Sequence, residues 1–176
     1  MKRNSLTILY SSVKMKVSKF GQMPVITEDF IMKLQVFLFN KFGYAQRIAD
    51  ALAEKFTCKC DQIPPAYQCN EERLIFIVYE KYGALDKKLV AYMKEMDKKK
   101  VQNIAYIEIS NTGNEALDQM SEIVKANGVN ISGTYGIAVK RGLFSKGQLT
   151  DDQFQDALKF ADEQGKANFE FLRRQG

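Results

Sequence analysis

The sequence predicts an α/β fold, a three-layer, doubly wound, five-stranded parallel sheet with helices on both faces. Three observations point to it. Short, nearly continuous apolar runs recur at residues 34–39 (LQVFLF), 74–79 (LIFIVY) and 104–109 (IAYIEI), as strands buried on both faces require. Segments with apolar residues at helical spacing separate them. The two kinds of signal alternate, and no internal repeat or low-complexity tract interrupts the alternation.

After the first strand, Ala45, Ile48, Ala49, Leu52 and Phe56 fall on one stripe of a helix. Residues 57–61 read as a short second strand, ended by Pro64-Pro65. The LIFIVY run is the third strand. Leu85, Leu89, Tyr92, Met93 and Met96 then repeat the helical spacing, with Lys98, Lys99 and Lys100 at the negative end of that helix. The IAYIEI run is the fourth strand. Leu117, Met120, Ile123 and Val124 mark another helix, stopped at Asn127-Gly128. Residues 129–139 form the last strand region, interrupted by Gly133 and Gly136. Thr150 is positioned to cap a final helix carrying Phe154, Ala157, Leu158 and Ala161.

The regular domain spans residues 32–170. Residues 1–31 read as an N-terminal extension, either a loose add-on or a small hairpin. They carry Lys2, Arg3, Lys14, Lys16 and Lys19 against Glu28 and Asp29. Val13, Met15 and Val17 alternate with polar residues like a short two-faced strand, which Gly21 and Pro24 then break.

Composition narrows the chemistry. The 176 residues are 45% hydrophobic and 27% charged, which is globular composition. No apolar run is long enough for a membrane span. There is no histidine, so triads with an imidazole base and zinc sites with an imidazole ligand are excluded. A net charge of +5 scattered along the chain describes a soluble surface rather than a nucleic-acid groove. The three cysteines, Cys58, Cys60 and Cys69, are an odd number in one stretch, and no secretory segment precedes them. They predict a reducing, cytoplasmic setting, no disulfide framework and no metal centre. Cys58 and Cys60, two apart, read as small apolar fillers rather than redox partners.

In an open parallel sheet, ligands bind beyond the carboxyl ends of the strands. The loops that matter are therefore residues 40–44, 80–83 and 110–114. The first is Asn40-Lys41-Phe42-Gly43-Tyr44-Ala45, a glycine-bearing turn that opens a helix and aims backbone N–H groups outward. Neither the dinucleotide fingerprint nor the Walker loop occurs. The second loop offers Tyr82 and Gly83, with Tyr79 at its base. The third, with Asn111, Thr112 and Gly113, is polar and either meets a ligand through its backbone or caps the following helix.

The order β-α-β-β-α-β-α-β-α over residues 33–165 resembles the flavodoxin family. So does the run Phe39-Asn40-Lys41-Phe42-Gly43-Tyr44-Ala45-Gln46-Arg47-Ile48-Ala49 after the first strand. Ile75-Phe76-Ile77-Val78-Tyr79, Asp86-Lys87-Lys88-Leu89 and Gly133-Thr134-Tyr135-Gly136 are similar to stretches of the same family. The resemblance implies strand order 2-1-3-4-5 and FMN as cofactor. It implies that residues 40–45 hold the phosphate, with Lys41 as a further partner. Tyr82 and Gly83 would then lie at the flavin ring, and Asn111, Thr112 and Gly113 at its pyrimidine edge. The family's phosphate loop is rich in hydroxyls, whereas three of those positions here read Asn40, Phe42 and Ala45, and Gly43 alone keeps the pattern. Each hydrogen bond lost to a charged acceptor is worth roughly 1.5–3 kcal/mol. The function implied is that of a cytosolic electron carrier, or an accessory to a reductase, serving a redox partner protein and not acting as a stand-alone enzyme. The alternative is a flavodoxin-fold interaction module that has lost its cofactor.

Overall fold

Strands that are apolar on both faces must be covered on both, and the computed structural model shows how this chain does it. The structure describes residues 9–10, 13–14, 33–39, 43–65, 67–141 and 147–170. The chain divides into two units, Met1–Met32 and Lys33–Gly176. In the first, Leu9–Tyr10 pairs antiparallel with Val13–Lys14, Tyr10 opposite Val13. Of the strand expected over residues 13–17, only Val13 and Lys14 are among the described residues.

The second unit has nine principal elements among the described residues. They are β1 (Leu34–Phe39), α1 (Tyr44–Phe56), β2 (Lys59–Gln62), β3 (Glu72–Lys81), α2 (Lys87–Lys94), β4 (Val101–Ser110), α3 (Leu117–Lys125), β5 (Asn130–Ala138) and α4 (Asp151–Asn168). The five strands pair in parallel in the order β2-β1-β3-β4-β5. This is the doubly wound α/β arrangement with strand order 2-1-3-4-5 that the sequence predicts.

Alternation along each strand assigns the two faces. Phe37, Ile75, Ile77, Tyr79, Ile104 and Tyr106 form one buried cluster with Leu89, Tyr92 and Met93 of α2 and Leu117, Met120 and Val124 of α3. Val36, Leu38, Leu74, Phe76 and Val78 are buried on the other face, where α1 and α4 pack. There Phe56 stacks on Phe76 with ring centroids 5.6 Å apart. All five stripe residues expected for α1 are buried.

The boundaries differ where local chemistry overrides spacing. Thr57 caps α1 in a left-handed conformation, so the second strand begins at Lys59 and not at Thr57. Helix α2 starts after Asp86, whose side chain accepts from the Lys88 N–H, so Leu85 lies outside it. Ser132 is the extra residue of a bulge: Ile104 pairs with Ile131 and Ala105 with Gly133. Gly133 and Gly136, expected to interrupt β5, sit within a continuous strand.

Thr150 caps α4 as expected. Its hydroxyl accepts from the Gln153 N–H at 3.2 Å, and the Gln153 side chain accepts from the Thr150 N–H at 3.1 Å. Thr150→Ala is expected to lower the unfolding free energy by about 1 kcal/mol with an unchanged denaturant slope, measured by urea unfolding.

Candidate functional site

Helices that follow parallel strands begin at the carboxyl edge of the sheet, and their first N–H groups lack partners within the helix. Two carboxylates carried by the strands supply acceptors here. At the end of β3, Glu80 Oε1 accepts from the Tyr44 N–H at 2.6 Å and from the Ala45 N–H at 3.2 Å, the first amides of α1. Its Oε2 accepts from Arg141 Nη2 at 2.8 Å. The Glu80 side chain is only 6% exposed, whereas that of Arg141 is 48% exposed. On the opposite face, Glu108 of β4 is fully buried. It accepts from the Glu115 N–H (2.6 Å), the Ala116 N–H (2.9 Å) and the Tyr79 hydroxyl (2.8 Å). Tyr79 is thus a core residue. Burial, and then the charge of Glu108, push its phenol far above the ordinary range, so it remains a donor.

The expected site residues distribute around this arrangement. Asn40, Lys41 and Phe42 lie outside the described residues. Gly43 precedes α1 with φ 165°, an extended conformation open to any residue. What excludes a side chain there is crowding: an added Cβ would strike Oε1 of Glu80 and lie 3.0 Å from its Cδ. Tyr44 and Ala45 contribute the two amides, and the Tyr44 hydroxyl donates to the Gly147 carbonyl at 3.1 Å.

Arg141 links the first loop to the other two. Its guanidinium lies 3.8 Å from the centroid of the Tyr82 ring, and the backbone N–H of Arg141 donates to Asn111 Oδ1 at 2.9 Å. The Tyr82 hydroxyl donates to the Val139 carbonyl at 3.2 Å. Gly83 and Thr112 are exposed. The Gly113 N–H donates to Ser110 Oγ at 2.9 Å. Gly113 has φ +86°, and an added Cβ would lie 3.0 Å from the backbone of Gly136, so both conformation and contact require glycine. Loop 110–114 does not itself cap α3, whose N-cap is Ala116 with no side-chain cap, and Glu108 holds the amides of Glu115 and Ala116 just before the helix.

A cavity of about 340 Å³ opens beside the pair, lined by Phe39, Glu80, Lys81, Tyr82, Leu85 and Arg141 among others. This is the small end of the roughly 300–1,000 Å³ usual for ligand pockets. Lys81 is drawn to its rim by Glu115 at 2.6 Å, and that hydrogen bond holds the Glu115 carboxyl below its ordinary range.

An FMN phosphate at the start of α1 needs the amides that Glu80 already holds. An isoalloxazine stacked on Tyr82 needs a ring face, and Arg141 lies over one of them. In this arrangement the described residues do not fit the group.

Sequence reasoning missed Glu80, Glu108 and Arg141. The signal for the first two was a carboxylate inside or directly after an apolar run, which burial allows only when it is paired. Arg141 leaves no local signal, because it reaches Glu80 across 61 residues. The cysteines do not join the site. Burial pushes the Cys58 thiol up to about 12 and that of Cys60 up to about 11, so both are protonated at neutral pH. Among the described residues no cluster of acidic or cysteine side chains could hold a metal ion, and no helix is long and apolar enough to cross a membrane.

No protein-family model and no curated protein matches this sequence. Among solved structures, the chain is similar to the Streptococcus pneumonia TIGR4 flavodoxin, with a TM-score of 0.53 and 11% identity over 76% of this chain and 98% of that one. The fold is flavodoxin-like.

Two outcomes are expected. Glu108→Ala strands two amides and a hydroxyl in the core and should destabilise by about 3 kcal/mol or more, whereas Glu108→Gln, which keeps an acceptor oxygen, should lose less; thermal and urea unfolding compare them. The thiols of Cys58 and Cys60 have folded-state values above the ordinary 9.0, so their contribution to stability is complete below that pH and lost as the pH rises through about 11 and about 12. Urea midpoints measured stepwise above pH 9.0 should therefore fall less steeply in the Cys58→Ala/Cys60→Ala double variant, and identical profiles would refute the assignment.

Proposed function

We propose that this chain is a flavodoxin-fold domain that works without flavin, as a module that binds another protein rather than as an FMN-linked electron carrier. The observation that carries the reading is the Glu80 carboxylate on the first amides of α1, held from the other side by Arg141. A fold does not fix a function, and the site decides between the two readings. The redox reading needs an open anion seat and an open aromatic platform, and here the chain's own side chains use the seat and one face of the platform. Among the described residues the thiols near β2 are protonated, and both strand carboxylates are committed to backbone amides.

What the carboxyl edge offers instead is a surface of paired charges. Lys81–Glu115 and Arg141, held by the buried Glu80, belong to it, and Arg47–Asp151 joins the starts of α1 and α4 at 3.2 Å. Such a surface recognises a partner by charge pattern and shape. The cytoplasm, with its reduced thiols, is the compartment this reading assigns.

Colour and titration test it. Purified protein is expected to be colourless, and added FMN should keep its free fluorescence. A flavin spectrum released on denaturation, or quenching of FMN at stoichiometric protein, would restore the electron-carrier reading.

A further inference from the structure

We infer that Glu80 is a resident anion: its carboxylate takes the place at the start of α1 that the resemblance gives to a phosphate, and so closes that seat to free anions. The inference rests on the preceding reading of a domain that works without flavin, and it names the device that would make it so.

Three features separate this from an ordinary buried carboxylate finding nearby donors. First, both oxygens are used, and by different parts of the chain: Oε1 takes the amides of Tyr44 and Ala45, while Oε2 takes the guanidinium of Arg141 beyond β5. A helix N-terminus flanked by an arginine is the donor set an anion needs, and here the anion is built in. Second, Gly43 makes room for the carboxylate. Its backbone is extended, so it has no conformational need to be glycine, yet an added Cβ would collide with Oε1. Third, the arginine that holds Glu80 also lies over Tyr82 at 3.8 Å. One ion pair therefore occupies both the anion seat and the adjacent aromatic face.

A tethered anion has a kinetic and thermodynamic advantage over a free one. Its effective concentration at the amides is set by the rigid strand that carries it, and dissolved phosphate at cellular levels competes poorly with it. The side chain is almost wholly buried, so a competitor must also displace it without offering it water.

The test uses the full chain and inorganic phosphate as the probe, with potassium chloride at matched ionic strength as control. The thermal midpoint of the wild type should respond to the two salts alike. Glu80→Ala should unfold at a lower temperature, and phosphate should raise its midpoint above the chloride control, corresponding to at least about tenfold tighter phosphate binding than in the wild type. Glu80→Gln keeps the shape without the charge and should show the same phosphate response in weaker form, so it carries the test if the alanine variant does not fold. No phosphate-specific shift in the variant that folds overturns the inference, as does a wild-type shift of equal size. Titrating FMN into the wild type separates the two readings. Binding there defeats the flavin-free reading and this one together. A flavin-free wild type with an unresponsive Glu80→Ala defeats the resident anion alone.

Discussion

Every helix that follows a parallel strand begins with amides that point past the sheet's carboxyl edge, and something must accept their hydrogen bonds. In this chain Asp86 and Thr150 cap α2 and α4, while the start of α1 and the approach to α3 are served from within the sheet. Glu80 leaves β3 toward α1, and Glu108 leaves β4 toward α3. Adjacent strands and alternating registers send the two carboxylates to opposite faces: Tyr79 pairs with Glu108, and Glu80 with Ile109. Each face of the sheet thus has its own internal acceptor, and the helices are anchored at their positive ends by charge as well as by packing.

Burying a carboxylate is unfavourable unless its lone pairs are taken, and the partners here explain the local geometry. Glu108 reaches full burial because two amides and the Tyr79 hydroxyl surround it. Glu80 is satisfied by two amides and Arg141, which is half in solvent and stacks on Tyr82. Charged hydrogen bonds of this kind contribute roughly 1.5–3 kcal/mol each, more than a surface ion pair such as Lys125–Glu122. Arg141 also brings the segment after β5 against loop 110–114 through Asn111. The carboxyl edge is therefore cross-braced by side chains.

The architecture was legible because burial leaves a pattern. LQVFLF, LIFIVY and IAYIEI read as strands covered on both faces, and the stripes in α1 and α3 and the capping residue Thr150 stand where periodicity places them. Boundaries were less so. Asp86 and the left-handed Thr57 shift helix ends by local hydrogen bonding and backbone conformation, which periodicity does not register. The site was read only in part. Gly43, Tyr44 and Ala45 do open a helix at the carboxyl edge, and Tyr82 does lie beside it. Their partners were hidden because Glu80 reaches 35 residues back to Ala45 and Arg141 reaches 61 residues back to Glu80. Asn40, Lys41 and Phe42 lie outside the described residues.

Gly43 shows why a retained motif residue does not identify a ligand. A glycine before the first helix permits close approach of an anion to the amides, whether that anion is a phosphate or a carboxylate. The glycine is common to both solutions and discriminates neither. What discriminates is the charge already present in the core beneath it. A strand ending in an apolar residue would leave the amides of Tyr44 and Ala45 in need of an outside acceptor, and the fold would gain stability when one bound. With Glu80 at that position the acceptor is covalently part of the chain, the stabilisation is present before any ligand arrives, and an incoming phosphate must first break three charged hydrogen bonds. On the reading proposed above, the same fold stands in two regimes, ligand-completed or self-completed, and the side chain at the end of the third strand, held by Arg141, distinguishes them.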